Sequence, residues 1–375
     1  MKTTATALGL SLVLGCTAPP TLQVIDSRDG ALRFEAPGTA DHLAADAAAG
    51  LVWINAEGTV RALRLATGEE QWQLRGRATS TSPLLVAGPR LVFRGIDGAL
   101  VAVDAASGAA GWERAGAGGR PLHALGQSTA GVFGVDGAGQ LWVIDPASGE
   151  PRHAAQPVAA SGSSVHHVAV QDGVAACQTY GGQVRRVDLA GGSAPPPQAG
   201  ATAIPPLLHG DRLLFVDRDG CVRLGADTAA PTWSLCIPSG VASLAAAGDL
   251  IYAGARRGEL RAIDATSGAV RWALDTDGTE VRIEPHSDMV LVATNHDGVY
   301  AADARTGEVR WHVTMAARIR AFAKVGDLVV VRHADGAVWA IDAASGTVRW
   351  TRALRAGRAD RVLLLDAARQ QAAIL

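Results

Sequence analysis

The sequence predicts an all-β protein: a single β-propeller of four-stranded antiparallel blades, eight or nine of them, closed by pairing strands from the two chain ends. Three observations carry this. One short phrase recurs along the whole chain. Its copies lie about 40 residues apart, the mark of a repeat architecture. Between the copies stand short apolar, β-branched runs bounded by glycine turns. The phrase is clearest at Asp342: an Asp, two small residues, Ser345, Gly346, and then Trp350 eight residues after the Asp. Asp303, Gly307 and Trp311 repeat it, as do Asp264, Gly268 and Trp272, and Asp104, Gly108 and Trp112.

Weaker copies keep the register. Arg64 replaces the acid ahead of Gly68 and Trp72, and Gly225 stands eight residues before Trp233. Asp145 leads to His153 in the Trp slot, Asp188 to Pro196 and Asp26 to Phe34. The anchors are 26, 64, 104, 145, 188, 225, 264, 303 and 342, separated by 38, 40, 41, 43, 37, 39, 39 and 39 residues. Nine slots in register, six of them holding Trp, override the length prior that would divide 375 residues into two or three domains.

Taken in order, the chain begins with Met1 and Lys2, then an apolar run from Ala5 to Gly15 that reads as a signal peptide, residues 1–15. The run Leu12 to Cys16 resembles a bacterial lipobox. That resemblance implies diacylation at Cys16, an anchor linker at 16–21, and a protein held to a membrane. Thr17 in place of Asp after the cysteine implies the outer membrane, facing the periplasm. The propeller is expected over 22–375.

The last unit shows how each blade is built. Ile319–Ala323 is a weak apolar segment, and Val325–Arg332 is a β-branched run. Asp335-Gly336 is a hairpin signal, because glycine supplies the positive φ such turns need. Ala337–Asp342 is the next strand, Asp342–Gly346 a second tight turn, and Thr347–Thr351 the returning strand. The hairpin signal recurs at Asp97-Gly98, Asp219-Gly220 and Asp297-Gly298. Strands such as Leu213–Val216, Met289–Val292 and Leu328–Val331 are apolar on both faces, so each sheet must be covered on both sides by its neighbours. The tryptophans Trp72, Trp112, Trp233, Trp272, Trp311 and Trp350 are then expected to fill the seams between blades, each N–H finding an acceptor there. Asp104, Asp264, Asp303 and Asp342 are expected to close turns.

The chain ends complement each other. Residues 360–374 supply the first two strands of a unit and Leu22–Ala36 the last two. Counting the shared unit gives nine, and eight stays open if one unit is degenerate. The unit at Asp188 is the weakest, with Gly191-Gly192, Pro195–Pro197 and Pro205-Pro206. Proline is confined to edges and loops, so an irregular edge is expected there, left by drift or used to bind a partner.

The phrase Ala-x-Asp-x-x-Ser/Thr-Gly-x-x-x-Trp resembles the tryptophan-docking motif of PQQ-like (pyrroloquinoline-quinone-type) propeller repeats, over about residues 20–375. Members of that family include quinoprotein dehydrogenases and BamB-type lipoproteins of the outer-membrane β-barrel assembly machine. The resemblance implies a propeller and two quite different functions. The enzymes are longer, carry an adjacent Cys pair near the quinone and hold calcium with acid and Asn ligands. This chain has no adjacent Cys pair and no recognisable ligand set. A non-catalytic envelope scaffold that binds protein partners, without cofactor, is therefore expected, with a ligand-sensing or carbohydrate-binding propeller as one alternative and a quinoprotein dehydrogenase as the other.

The remaining residue types offer little chemistry. Net charge is −2 with 19% charged residues, no electrostatic footprint for nucleic acid. Cys221 and Cys236 flank a hairpin symmetrically, and an oxidising compartment would permit a disulfide between them. Cys177 sits in an apolar run and reads as a buried thiol. The ten histidines are scattered: His166 and His167 point to opposite faces of a strand, and His286, His296, His312 and His333 occupy non-equivalent positions. No zinc, haem, phosphate-loop or nucleophile-elbow pattern is present. Arg352, Arg355, Arg358 and Arg361 read as a solvated connection.

Overall fold

A computed structural model of the chain describes residues 21–37, 42–80, 82–115, 121–128, 131–159, 163–189, 201–202, 204–210, 212–225, 231–353, 361–366 and 371–374. The signal peptide, Cys16, Gly191-Gly192, Pro195–Pro197, Arg355 and Arg358 lie outside the described residues. All regular structure among those described is β.

Among the described residues the strands form nine sheets. The first joins Thr21–Asp26 and Leu32–Pro37 to Arg361–Asp366 and Gln371–Ile374. The second runs His42–Asp46, Leu51–Ala56, Thr59–Arg64, Glu70–Leu74. The third runs Leu85–Ala87, Arg90–Arg94, Leu100–Asp104, Ala110–Arg114. Leu122–Ser128, Gly131–Asp136, Gln140–Ile144 and the short Gln156–Pro157 make the fourth. In the fifth, three strands are described: Val165–Gln171, Val174–Thr179 and Val184–Asp188. The sixth is Leu207–His209, Arg212–Val216, Cys221–Gly225, Pro231–Cys236. The seventh is Val241–Ala247, Leu250–Ala255, Glu259–Asp264, Val270–Asp275. The eighth is Thr279–Pro285, Met289–Asn295, Gly298–Asp303, Val309–Thr314. The ninth is Ile319–Val325, Leu328–His333, Ala337–Asp342, Val348–Ala353.

The second to ninth sheets are antiparallel meanders in chain order. Their alternation sorts the connections. Links between first and second strands and between third and fourth lie on one side, here called the turn face. Links between second and third strands, and from sheet to sheet, lie on the other, the loop face. The hairpin signals at Asp97, Asp219, Asp297 and Asp335 all fall between second and third strands. One expected run is cut: Gly326, at φ 61°, turns the chain between Val325 and Leu328, so Val325 ends the ninth sheet's first strand.

The first sheet departs from the expected pattern. The two chain ends do share it, but Leu22–Asp26 pairs parallel with Arg361–Leu365, giving a mixed sheet. Hairpins enforce antiparallel sense only between strands they connect. No turn joins these two, so nothing in the connectivity fixes their direction.

Apolar clusters bridge each sheet to the next, nine among the described residues. One joins Leu291, Val299 and Trp311 of the eighth sheet to Val329, Val331 and Ile341 of the ninth. Another joins Val325, Val330, Val338 and Ala340 of the ninth to Ile25 of the first. A third joins Leu22, Val24 and Ala36 to Val52, Ile54 and Leu63 of the second. Gln371–Ile374 lies against Ile319–Val325 on one side and His42–Asp46 on the other. Covered on both faces, the second strands Gly131–Asp136, Leu250–Ala255 and Met289–Asn295 are buried along their whole length.

Candidate functional site: the inter-sheet docking motif

The repeated phrase builds one device many times over. At Asp342, Oδ1 accepts hydrogen bonds from the N–H of Ala344 (3.2 Å) and Ser345 (2.9 Å) and from Ser345 Oγ (2.8 Å). Short acidic side chains bond the local backbone readily, which is why they favour such turns. Oδ2 receives Arg349 Nη2 at 2.6 Å. Gly346 N–H closes the turn on the Asp342 carbonyl at 2.9 Å. Gly346 sits at φ +74°, and a Cβ there would lie 2.7 Å from the Trp311 ring. Both facts require glycine.

Trp311 comes from the neighbouring sheet. It is 8% exposed, its ring lies on Gly346, and its Nε1–H donates to the Ala343 carbonyl at 2.9 Å. The other tryptophans dock in the same way. Trp72 reaches Ala105 O (3.1 Å), Trp112 reaches Pro146 O (2.9 Å), Trp233 reaches Ala265 O (3.0 Å) and Trp272 reaches Ala304 O (3.1 Å). In every case the acceptor is the residue after the next unit's anchor, and the ring lies on the glycine at Gly108, Gly149, Gly268 or Gly307. Trp350 does this across the chain ends: its Nε1–H donates to Ser27 O at 2.8 Å and its ring covers Gly30. Phe34 fills the slot without a donor and stacks on Gly68. Arg352, expected in a solvated connection, instead donates from Nη1 to Gly30 O at 2.7 Å, because the first sheet lies beside it.

The turns at Asp104, Asp264 and Asp303 repeat the bonds of Asp342 to the second and third residues that follow. Arg271, Arg310 and Arg349 hold the carboxyls of Asp264, Asp303 and Asp342 well below the usual carboxylate range. The Ser107 hydroxyl lowers Asp104 in the same sense. A carboxyl depressed on folding contributes stability above its unfolded pKa, about 4, and loses it as pH falls through the folded value. The urea midpoint of the wild type should therefore drop steeply below about pH 4. The triple variant Asp264→Asn, Asp303→Asn, Asp342→Asn should be weaker at neutral pH and fall less with acid, so the two curves converge. Parallel curves would show that these carboxylates do not set the acid slope.

The motif holds residues that the sequence reading passed over. Arg33, Arg152, Arg271, Arg310 and Arg349 each stand seven residues after an anchor Asp and pair with it. The signal was a fivefold recurrence just ahead of the Trp slot. Two aromatics outside the slot share its acceptors: Trp53 Nε1–H donates to Ala105 O at 2.9 Å and Tyr252 O–H to Ala304 O at 3.2 Å.

Other candidates are dispersed. Cys221 and Cys236 face each other on paired strands, with Cα atoms 3.8 Å apart, and are joined in a disulfide. Burial pushes the Cys177 thiol up to about 12, which suppresses the reactive thiolate. His312 stacks on Tyr300 at 3.9 Å, and His333 stacks on Trp339. Among the described residues no three His, Cys, Asp or Glu gather where they could hold a metal ion. No described helix is long and apolar enough to cross a membrane.

Four-stranded sheets fastened side by side by tryptophan on glycine define the class: a PQQ-like propeller-repeat protein. The family profile described as "Outer membrane protein assembly factor BamB" matches residues 7–132, 56–274 and 282–373, and the chain belongs to that family. No curated protein matches the sequence. Among solved structures, BamB from Moraxella catarrhalis is similar at 17% identity and a TM-score of 0.50, over 74% of this chain and 84% of that one. The computationally designed Ika8 protein is similar at 17% identity and a TM-score of 0.59, over 76% and 89%. Sqt1 of Saccharomyces cerevisiae is similar at 12% identity and a TM-score of 0.55, over 84% and 96%. At these identities the likeness is one of fold.

Proposed function

We propose that the protein is a closed nine-bladed propeller that serves as a non-catalytic scaffold in the cell envelope. On this reading it is anchored to the outer membrane through lipidated Cys16 and binds protein partners in β-barrel assembly. Membership of the BamB family supports the role. One observation carries the non-catalytic part: the recurring Asp side chains are taken up by the Ser or Thr and Arg of their own turn, and the Trp rings lie on the slot glycine of the next sheet with their N–H groups on its backbone. Residues that could look catalytic are thereby committed to shape. The ring itself is supported by the Trp350 and Arg352 bonds to the first sheet and by the place of Gln371–Ile374 between first strands of the second and ninth sheets.

The test is to express the full chain with labelled palmitate and purify it from membranes in mild detergent. The wild type should take up label and bring down a β-barrel assembly component. Cys16→Ala should lose the label and leave the membrane fraction. Recovery without any such component, or turnover of an alcohol or sugar with quinone and calcium added, would overturn the scaffold reading.

A further inference from the structure

Arginine serves two different ends on the two faces. On the turn face, Arg33, Arg152, Arg271, Arg310 and Arg349 are each neutralised by an anchor Asp. On the loop face of the sixth to ninth sheets, the pattern reverses. Arg218 and the pair Arg256, Arg257 occupy successive hairpin turns between second and third strands, and all three are exposed. Arg318 and Arg320, also exposed, stand where the eighth sheet hands over to the ninth.

These groups form one arc. The Arg256 carbonyl accepts the Glu280 N–H at 3.2 Å, which seats the seventh sheet's turn against the eighth sheet's first strand. Arg282 on that strand donates from Nη1 to the carbonyls of Ile319 (3.0 Å) and Arg320 (2.9 Å), fixing the backbone from which Arg320 projects. Arg218 donates from Nη2 to Gly181 O at 3.2 Å, a neutral partner. Arg318 meets Glu280 at 3.3 Å, but that carboxylate also holds Asn295. Among the described residues, Arg256, Arg257 and Arg320 have no carboxylate within ion-pair distance.

We propose that this arc of the loop face is a docking surface for an acidic segment of a partner protein, with Arg218, Arg256, Arg257, Arg318 and Arg320 reading its carboxylates. The inference rests on the scaffold reading and adds the face and the partner's chemistry. Guanidinium groups suit carboxylates because their planar forks bond both oxygens. The same surface is poorly suited to a continuous polyanion. Asp275, Asp277 and Glu280 are exposed on the same stretch and would meet a phosphate-lined bilayer or a nucleic acid head-on. The net charge of −2 adds no long-range attraction for either. A peptide can place its carboxylates between these acids.

The test uses the full chain and a fluorescein-labelled peptide of alternating Glu and Val, with a Gln–Val peptide and phosphatidylglycerol vesicles as comparisons. Fluorescence anisotropy should show binding of the acidic peptide that weakens with salt. Reversal of three charges (Arg256→Glu, Arg257→Glu, Arg320→Glu) should weaken it about tenfold or more, while Arg305→Glu on the turn face leaves it unchanged. Thermal midpoints of both variants should match the wild type, since the side chains are exposed. Equal binding of the Gln–Val peptide, no binding of the acidic one, no effect of the triple reversal, or binding to vesicles alone would each overturn the proposal. Co-purification separates the two readings. A partner recovered equally by wild type and the reversed chain sinks the docking arc and leaves the scaffold standing. Acidic-peptide binding without a recovered partner does the opposite.

Discussion

Trp311→Ala is expected to destabilise the protein by about 3–5 kcal/mol, the range for truncating a large buried aromatic. The indole fills the seam between the eighth and ninth sheets, packed with Leu291, Val329 and Ile341. Its removal leaves a cavity against Gly346 and strands the Ala343 carbonyl that it bonds at 2.9 Å. Trp311→Phe separates the two effects. Phe34 shows that a phenyl ring can stack on the slot glycine, here Gly68. The phenyl variant should therefore keep most of the packing and lose about 1 kcal/mol for the hydrogen bond, beyond the volume change. Urea titrations followed by far-UV circular dichroism read both. A cost below about 1 kcal/mol for alanine would mean the seam is not fastened by the indole.

Cys221→Ser with Cys236→Ser is expected to cost about 3 kcal/mol, the loop-closure value for a bridge of this span. The two cysteines are separated by 15 residues. The sixth sheet depends on this bond more than its neighbours would. Its anchor position is Gly225, so, like the second sheet with Arg64, it lacks the Asp clip that fastens third to fourth strand in the seventh, eighth and ninth sheets. The disulfide ties the same two strands at their other end, next to Trp233, whose ring must reach Gly268 and Ala265. Dithiothreitol should lower the wild-type urea midpoint to that of the double variant and leave the variant itself unmoved. An unchanged midpoint on reduction would contradict this account.

What the sequence disclosed follows from what repetition can encode. The indoles and turn aspartates recur because every seam needs the same parts, and their spacing survives even where Phe34 or Arg64 has replaced one of them. The arginine seven residues after the Asp recurs five times, but it is hidden beside the more conspicuous Trp slot that it precedes. Trp53 and Tyr252 could not be read as docking residues, because they reach the shared carbonyl from a different strand. The parallel junction of Thr21–Asp26 with Arg361–Asp366 was illegible for a different reason. Alternation along a sequence is set by hairpins, and these strands come from opposite ends of the chain. The loop-face arginines as a set carry no full period. Arg218 and Arg256 take the same place in successive hairpins, but Arg318 and Arg320 come from a link between sheets, and only the fold brings the two kinds of position to one side.

The central claim is that indoles leaning on glycines fasten the sheets into a circle, with Trp350 joining the last to the first. Electron–electron resonance between spin labels at Asp29 and Thr351 tests it most directly. Asp29 and Thr351 are exposed and flank the contact between Ser27 and Trp350. A closed ring predicts one narrow distance with the labels side by side. Sheets stack about 10 Å apart, so an open row would hold the labels on the order of 80 Å apart, and that long or broad distribution would contradict the account.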